Sequence, residues 1–324
     1  MKPSIYYLCH LPVKAGGELV NFQHVAALRK LGWRAFVLLD DLSQIQIPSQ
    51  PYPVPMVQMG PSMQWTSKDV LVLPEVTPAA SWEPMKLWAC RKVMHNQNPF
   101  YTFQSFPRMA DLDAYGLLGG LTCSDFTAQM LQRMGSTMPW QTVHPYILPI
   151  FTSADQKHKK RQIVYMPRKR PTETALLRHL FINKHPHWTD IPWIEIRDMS
   201  RQQVAKVLGE SLVFASFSHL EGLGLPPLEA MAAGCLVCGF DGWGGQEYAT
   251  RDNGRWVADG DLEAFADALS LTLAQTEAQN TAQRQAGQAT AAKFSEAHFQ
   301  TQLNQAWMML LGSDAAHYRN PTQE

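Results

Sequence analysis

Ile5-Tyr-Tyr-Leu-Cys9 is a short apolar run. Gly16-Gly17 then breaks the chain, Leu19, Phe22, Val25, Ala26, Leu28 and Leu31 recur at three- and four-residue spacing, and Arg34-Ala-Phe-Val-Leu-Leu39 follows Gly32. The first run reads as a buried strand and the spaced residues as one face of an amphipathic helix. Gly32 supplies the helix stop, and the second run is the next strand. Strand, glycine turn, helix and strand in this order make a β-loop-α-β unit of the Rossmann kind.

Working outward, short apolar runs at 70–73, 92–94, 121–123 and 141–143 continue the alternation with helices between them, which predicts a parallel sheet. Residues 44–66 carry five prolines and no sustained period, and read as an irregular excursion over the first domain. Two prolines and a basic run mark 145–161 as a linker. The pattern restarts at 163–166, 193–196, 211–215, 235–240 and 255–258, which predicts a second Rossmann-like domain. Residues 262–294 are rich in alanine and glutamine and favour helix, and Phe299, Leu303, Trp307 and Leu310 form the stripe of a last one. The domain reading is 1–150 and 151–294.

A chain of 324 residues is comfortable as two domains. Lysine plus arginine equals aspartate plus glutamate, 28 against 28, so no global field draws it to nucleic acid or an acidic membrane. Five scattered cysteines do not form a secreted disulfide framework, and Cys235 and Cys238 sit in an apolar run that reads as core rather than metal site. No signal peptide or membrane span is visible, and the cytoplasm is the expected location, with peripheral attachment at a membrane left open.

The stretch Glu221-Gly-Leu-Gly-Leu-Pro-Pro-Leu-Glu229 lies between an apolar strand and an Ala-rich helix. Its glycines let backbone approach a ligand closely, and amides at a helix N-terminus suit a phosphate. Two acids beside a phosphate site suit hydroxyl donors, so a nucleotide sugar satisfies both requirements. Glu229 follows Pro226-Pro227 and reads as a first-turn acid, which the helix dipole favours whatever the function. Glu221 is read in the loop after the strand.

The arrangement Glu-x7-Glu within Glu-Gly-x-Gly-Leu-Pro-x-x-Glu-Ala-Met-Ala-x-Gly, from Ser216 to Gly234, resembles the donor-site signature of retaining GT-B glycosyltransferases of the family 4, group 1 type. The resemblance implies the GT-B fold, two Rossmann-like domains facing a central cleft, with a C-terminal helix at 295–312 crossing back to the first domain. It implies transfer of a sugar from a nucleoside diphosphate sugar to an acceptor hydroxyl with retention, in polysaccharide or glycoconjugate synthesis. Glu229 would hold the ribose hydroxyls, and Glu221 the sugar and its leaving phosphate as a catalytic, donor-orienting acid. Gly222, Leu223 and Gly224 would line the donor site. Arg168, in Met166-Pro-Arg-Lys-Arg170, is the expected phosphate cation and a catalytic candidate; Thr172 and Glu173 replace the family's later lysine, so Lys169 or Arg170 is the substitute. Gly16 and Gly17 resemble the glycine loop that passes under the diphosphate. His95 is the third catalytic candidate, with Asn96 and Asn98 as sugar or acceptor contacts, and 242–248 as donor-pocket wall.

No Asp-x-Asp pattern lies beside a strand end, so no metal or other cofactor is expected. The acceptor is read as a carbohydrate or a lipid-linked oligosaccharide. Two alternatives stay open on the sequence: a non-catalytic nucleotide-sugar or glycan-binding scaffold, and a transferase acting on modified nucleic acid, for which 157–161 and 168–170 would meet phosphates.

Overall fold

The structure, a computed structural model, describes residues 2–10, 16–39, 52–60, 63–152 and 159–320. The chain divides into two compact units, Met1–Pro145 with Ala297–Glu324, and Tyr146–Glu296. The boundary falls at Pro145 rather than at 150.

In the first unit, β1 (Ile5–Cys9), β2 (Ala35–Leu39), β3 (Met56–Gln58), β4 (Val70–Pro74), β5 (Arg91–Asn96), β6 (Gly119–Thr122) and β7 (Trp140–Thr142) form one sheet in the order β3-β2-β1-β4-β5-β6-β7. Every neighbouring pair is parallel. Helices α1 (Gly16–Lys30), α2 (Ala79–Lys86), α3 (Pro99–Ser105), α4 (Met109–Asp113) and α5 (Asp125–Arg133) make the crossovers. Strands covered on both faces need apolar side chains throughout, and β4, Val-Leu-Val-Leu-Pro, is buried along its whole length. Leu8, Leu71, Leu73, Trp82, Met94 and Phe106 share one core cluster. Strand β3 corrects the reading of 44–66 as wholly irregular, for it pairs with β2 at the sheet edge. The rest of that segment at 44–51 and 61–62 lies outside the described residues, as does 153–158 of the linker.

The second unit holds α6 (Pro149–Thr152), β8 (Lys160–Tyr165), α7 (Pro171–Lys184), β9 (Trp193–Glu195), α8 (Arg201–Glu210), β10 (Ser211–Glu221), α9 (Leu225–Ala232), β11 (Leu236–Trp243), β12 (Gly254–Trp256), α10 (Leu262–Leu273) and α11 (Glu277–Ala292). Its parallel sheet runs β12-β11-β10-β8-β9 around a core that includes Ile163, Phe181, Val213, Phe217, Phe240 and Phe265. The Ala- and Gln-rich stretch forms two helices, α10 and α11. Thr276 closes a capping box with Gln279 and starts α11.

Helix α12 (Glu296–Leu311) brings the chain back into the first unit. Phe299 meets the His24 ring edge-on at 5.2 Å, and the Trp307 indole donates to the Tyr7 hydroxyl at 3.2 Å. All five cysteines are buried and none is joined in a disulfide. Among the described residues no helix is long and apolar enough to cross a membrane.

Candidate functional site

Open parallel sheets bind ligands outside the C-terminal ends of the strands where strand order reverses. In the second unit the reversal lies between β8 and β10. Arg168, Lys169 and Arg170 leave the end of β8, and Glu221 closes β10. Glu221 is therefore in the strand, not the loop: β10 runs on through Ser-His-Leu-Glu, shifts register between Ser218 and Glu221, and pairs Glu221 with Trp243 of β11. The shift has a local cost. Leu220 and Trp243 take φ of 46° and 75°, left-handed values that strain a residue with a side chain.

The three basic residues part company. Lys169 reaches the motif: its ammonium sits 2.7 Å from the Glu221 carboxylate and donates to the His219 carbonyl at 2.9 Å. Arg170 is 3% exposed and committed elsewhere, to Glu173 at 2.5 Å, to His219 Nδ1 at 2.5 Å, to Asp259, and over the Phe240 ring at 4.7 Å. A buried guanidinium with three polar partners is a structural clamp, which removes it as the substitute cation. Arg168 is exposed and makes no hydrogen bond or ion pair among the described residues.

After Glu221, Gly222, Leu223 and Gly224 are buried and lead into α9. Gly224 sits at φ 85°, open to glycine at no steric cost. Pro226 and Pro227 occupy the second and third helical positions and carry no N–H, so the amides left facing out from this terminus are those of Gly224 and Leu225. The glycine-rich turn after β11 braces this backbone: a Cβ on Gly244 would lie 2.4 Å from the Gly222 carbonyl oxygen, and the Tyr248 hydroxyl donates to the Gly224 carbonyl at 2.7 Å. Helix α9 begins at Leu225, so Glu229 is its fifth residue and not a first-turn acid. It is half-buried. Desolvation pushes its carboxyl up to about 7, with Arg201 pulling the other way.

In the first unit the order reverses between β1 and β4. Gly16 and Gly17 open α1 after β1. Gly17 is not left-handed, and a Cβ there would make only ordinary contact, 3.4 Å from Gln97, so neither conformation nor packing calls for glycine. The Gln97 amide donates to the Gly17 carbonyl at 2.9 Å. His95 is 1% exposed, its Nδ1 is 2.6 Å from the Asn21 side-chain oxygen, and its ring lies 4.4 Å from that of His24. Burial pushes its pKa down to about 3, so it is neutral and sits inside the packing rather than at a surface. Asn96 is fully buried and donates to the Thr102 hydroxyl at 2.5 Å; Asn98 caps α3 by accepting from the Phe100 amide. Each of the three holds a neighbour through one atom, while His95 Nε2 and Asn96 Oδ1 are buried with no hydrogen-bond partner among the described residues. Glu75, at the end of β4 and 3% exposed, was missed. Its signal was an acid directly after a fully apolar strand.

Residues 196–289 match the family model described as Glycosyl transferases group 1. An α-1,6-glucosyltransferase of Actinobacillus pleuropneumoniae serotype 7 is 34% identical over 255 residues, 78% of this chain and 77% of that protein. The chain belongs to the group 1 glycosyltransferases. Two solved structures share its fold, both at TM-score 0.68. A glycosyltransferase from Rickettsia africae is 14% identical and covers 96% of this chain and 99% of its own. Anabaena HepE, crystallised with UDP, is 12% identical and covers 94% and 100%. The fold of this glycosyltransferase is thus GT-B, with two Rossmann-like units. The family match takes in Glu221 through Glu229, the bracing turn and most of α11, whereas Arg168 and Lys169 precede it.

Proposed function

We propose that this glycosyltransferase moves a sugar from a nucleoside diphosphate sugar to an acceptor hydroxyl with retention of anomeric configuration, as family 4 enzymes do, in polysaccharide or glycoconjugate synthesis. The observation that carries this is the Lys169–Glu221 pair at the strand reversal of the second unit, beside the Gly222–Gly224 backbone. Cation, carboxylate and helix-terminal amide in one place are what a diphosphate joined to a polyhydroxylated ring requires.

Arg168 and Lys169 take the diphosphate, where charge builds on the departing oxygen. Lys169 replaces the family's later lysine, and its present partner Glu221 is released to orient the donor sugar. Glu229 accepts from the ribose hydroxyls, and the Gly224 and Leu225 amides face the phosphates. Gly16 and Gly17 serve the donor from the first unit; the packing of Gly17 does not itself demand glycine. These groups do the work without a metal ion. The acceptor is a carbohydrate or lipid-linked oligosaccharide, and such a donor suits a cytoplasmic enzyme.

HepE has also been crystallised with UDP-glucose, and the bacterial relative is a glucosyltransferase, so UDP-glucose is the first donor to test. Thermal shift with UDP and nucleotide sugars identifies the donor by mass action. NMR of the product then reads the anomer. An α-linked product from an α-donor, undiminished by EDTA, supports the proposal, and a β-linked product overturns retention.

A further inference from the structure

The end of β11 and the turn after it read Gly242-Trp-Gly-Gly245. A Cβ on Gly242 would lie 2.6 Å from that of Ser218, and one on Gly244 would lie 2.4 Å from the Gly222 carbonyl oxygen. The tail of β10 and the turn that follows it therefore press against this segment before and after residue 243, leaving no room for a side chain at either neighbour. Between the two glycines stands the largest side chain of all, Trp243, 43% exposed.

The indole is held there against the preference of its own backbone. Trp243 has φ 75° and ψ −63°, the dihedrals of the rare γ-turn, which strain any residue that carries a Cβ. Such a conformation persists only where the surroundings over-determine it. Here the Asp241 carboxylate accepts from the Trp243 amide at 2.8 Å, and the close-packed glycines fix the chain on both sides. Packing does not account for the strain, because nearly half of the ring gains nothing from burial.

Its place in the sheet says what the ring serves. In the β10–β11 ladder Trp243 is the Cα partner of Glu221, so an exposed aromatic stands alongside the acid at the strand reversal. A pyranose carries hydroxyls around its rim and C–H bonds on its faces. A carboxylate accepts from the first, and a flat apolar ring with one N–H at its edge covers the second.

We propose that Trp243 is a specificity-determining residue of the donor site, a platform on which a face of the transferred sugar rests while Glu221 takes its hydroxyls. This deepens the proposed function and rests on the reading of Glu221 as the donor-sugar acid. The nucleotide half of the donor is left to Arg168, Lys169 and Glu229.

The test compares UDP, which lacks the sugar, with UDP-glucose by isothermal titration without acceptor. Trp243→Ala weakens UDP-glucose by about three- to tenfold, the scale of one aromatic contact, while the Kd for UDP stays within about twofold. Trp243→Phe, which keeps a flat ring, recovers most of the loss. Trp243→Gly removes the strain together with the ring, so it folds even where Trp243→Ala does not, and it shows the same selective loss. A variant that is merely loosened weakens both ligands and leaves the ratio of their Kd values where the wild type has it. The proposal is overturned if UDP and UDP-glucose weaken together, if neither weakens and only the KM for the acceptor rises, or if the wild type binds UDP but not UDP-glucose. A wild-type enzyme that binds neither refutes the functional reading instead.

Discussion

Glu229→Gln makes the enzyme more stable and a poorer nucleotide binder, and the gain depends on pH. In the folded protein the Glu229 carboxyl titrates near 7 instead of its ordinary 4.5 because desolvation disfavours the charged form. The folded state thus holds this proton more tightly than the unfolded one. Its contribution to stability is full below pH 4.5 and is lost as pH rises through 7. The gap corresponds, at about 1.36 kcal/mol per pH unit, to about 3.4 kcal/mol at full ionisation. The side chain keeps some contact with solvent, which screens the penalty, so about 2 kcal/mol is the working figure. Gln has the same shape and never ionises. For a unit of this size about 2 kcal/mol raises the melting temperature by roughly 4–8 °C. Calorimetry at pH 5 and pH 8.5 checks it: wild type and variant melt together at the lower pH and separate by that amount at the higher. The variant binds UDP more weakly at pH 8.5, having lost the carboxylate that accepts ribose hydroxyls. An equal shift at both pH values, or none at either, refutes the assignment of a desolvated acid.

Three further outcomes are expected. Gly244→Ala places a methyl 2.4 Å from the Gly222 carbonyl, so the motif backbone must move; turnover falls by about 10²-fold in steady-state assays while circular dichroism is unchanged. Lys169→Met lowers kcat by about 10²-fold with little change in melting temperature, whereas Arg170→Met, which strands Glu173, His219 and Asp259, lowers the melting temperature by several degrees; matched kinetics and calorimetry separate the two. Trp307→Ala removes a fully buried indole from the first unit and costs about 3–5 kcal/mol by urea unfolding, with UDP binding retained.

The β1-α1-β2 unit was legible because strands buried on both faces must be apolar without interruption, while α1 needs only one face. The same logic hid β3. Met56 and Val57 are half-buried and Gln58 is exposed, so this edge strand leaves no apolar run. The tail of β10 was hidden too, since Ser218 to Glu221 pair by backbone through a register shift that side-chain pattern does not encode. The break between α10 and α11 was written in the sequence as Thr276-Glu-Ala-Gln279, a capping box overshadowed by helix-favouring composition. At the site, residue types were readable and directions were not. Lys169 and Arg170 are neighbours of like charge, yet one turns to Glu221 and the other is buried against Asp259 and Phe240. His95 and Asn96 looked like ligand residues at a strand end, but whether such a side chain points out or in depends on what α1 and α3 place against it.

The first unit cannot finish folding until the second has been translated. Helix α12 supplies Phe299 and Trp307 to the faces of His24 and Tyr7, yet 151 residues, Tyr146–Glu296, separate it from the rest of its unit. At about 5–20 residues per second, roughly 8–30 s pass between the emergence of those faces and the arrival of their cover. During that interval the nascent chain presents an unsealed apolar surface to the ribosome's surroundings, while the later-made unit is free to fold at once. Synthesis order and folding order are thereby reversed, and the last helix acts as the closing stone of the half that was made first.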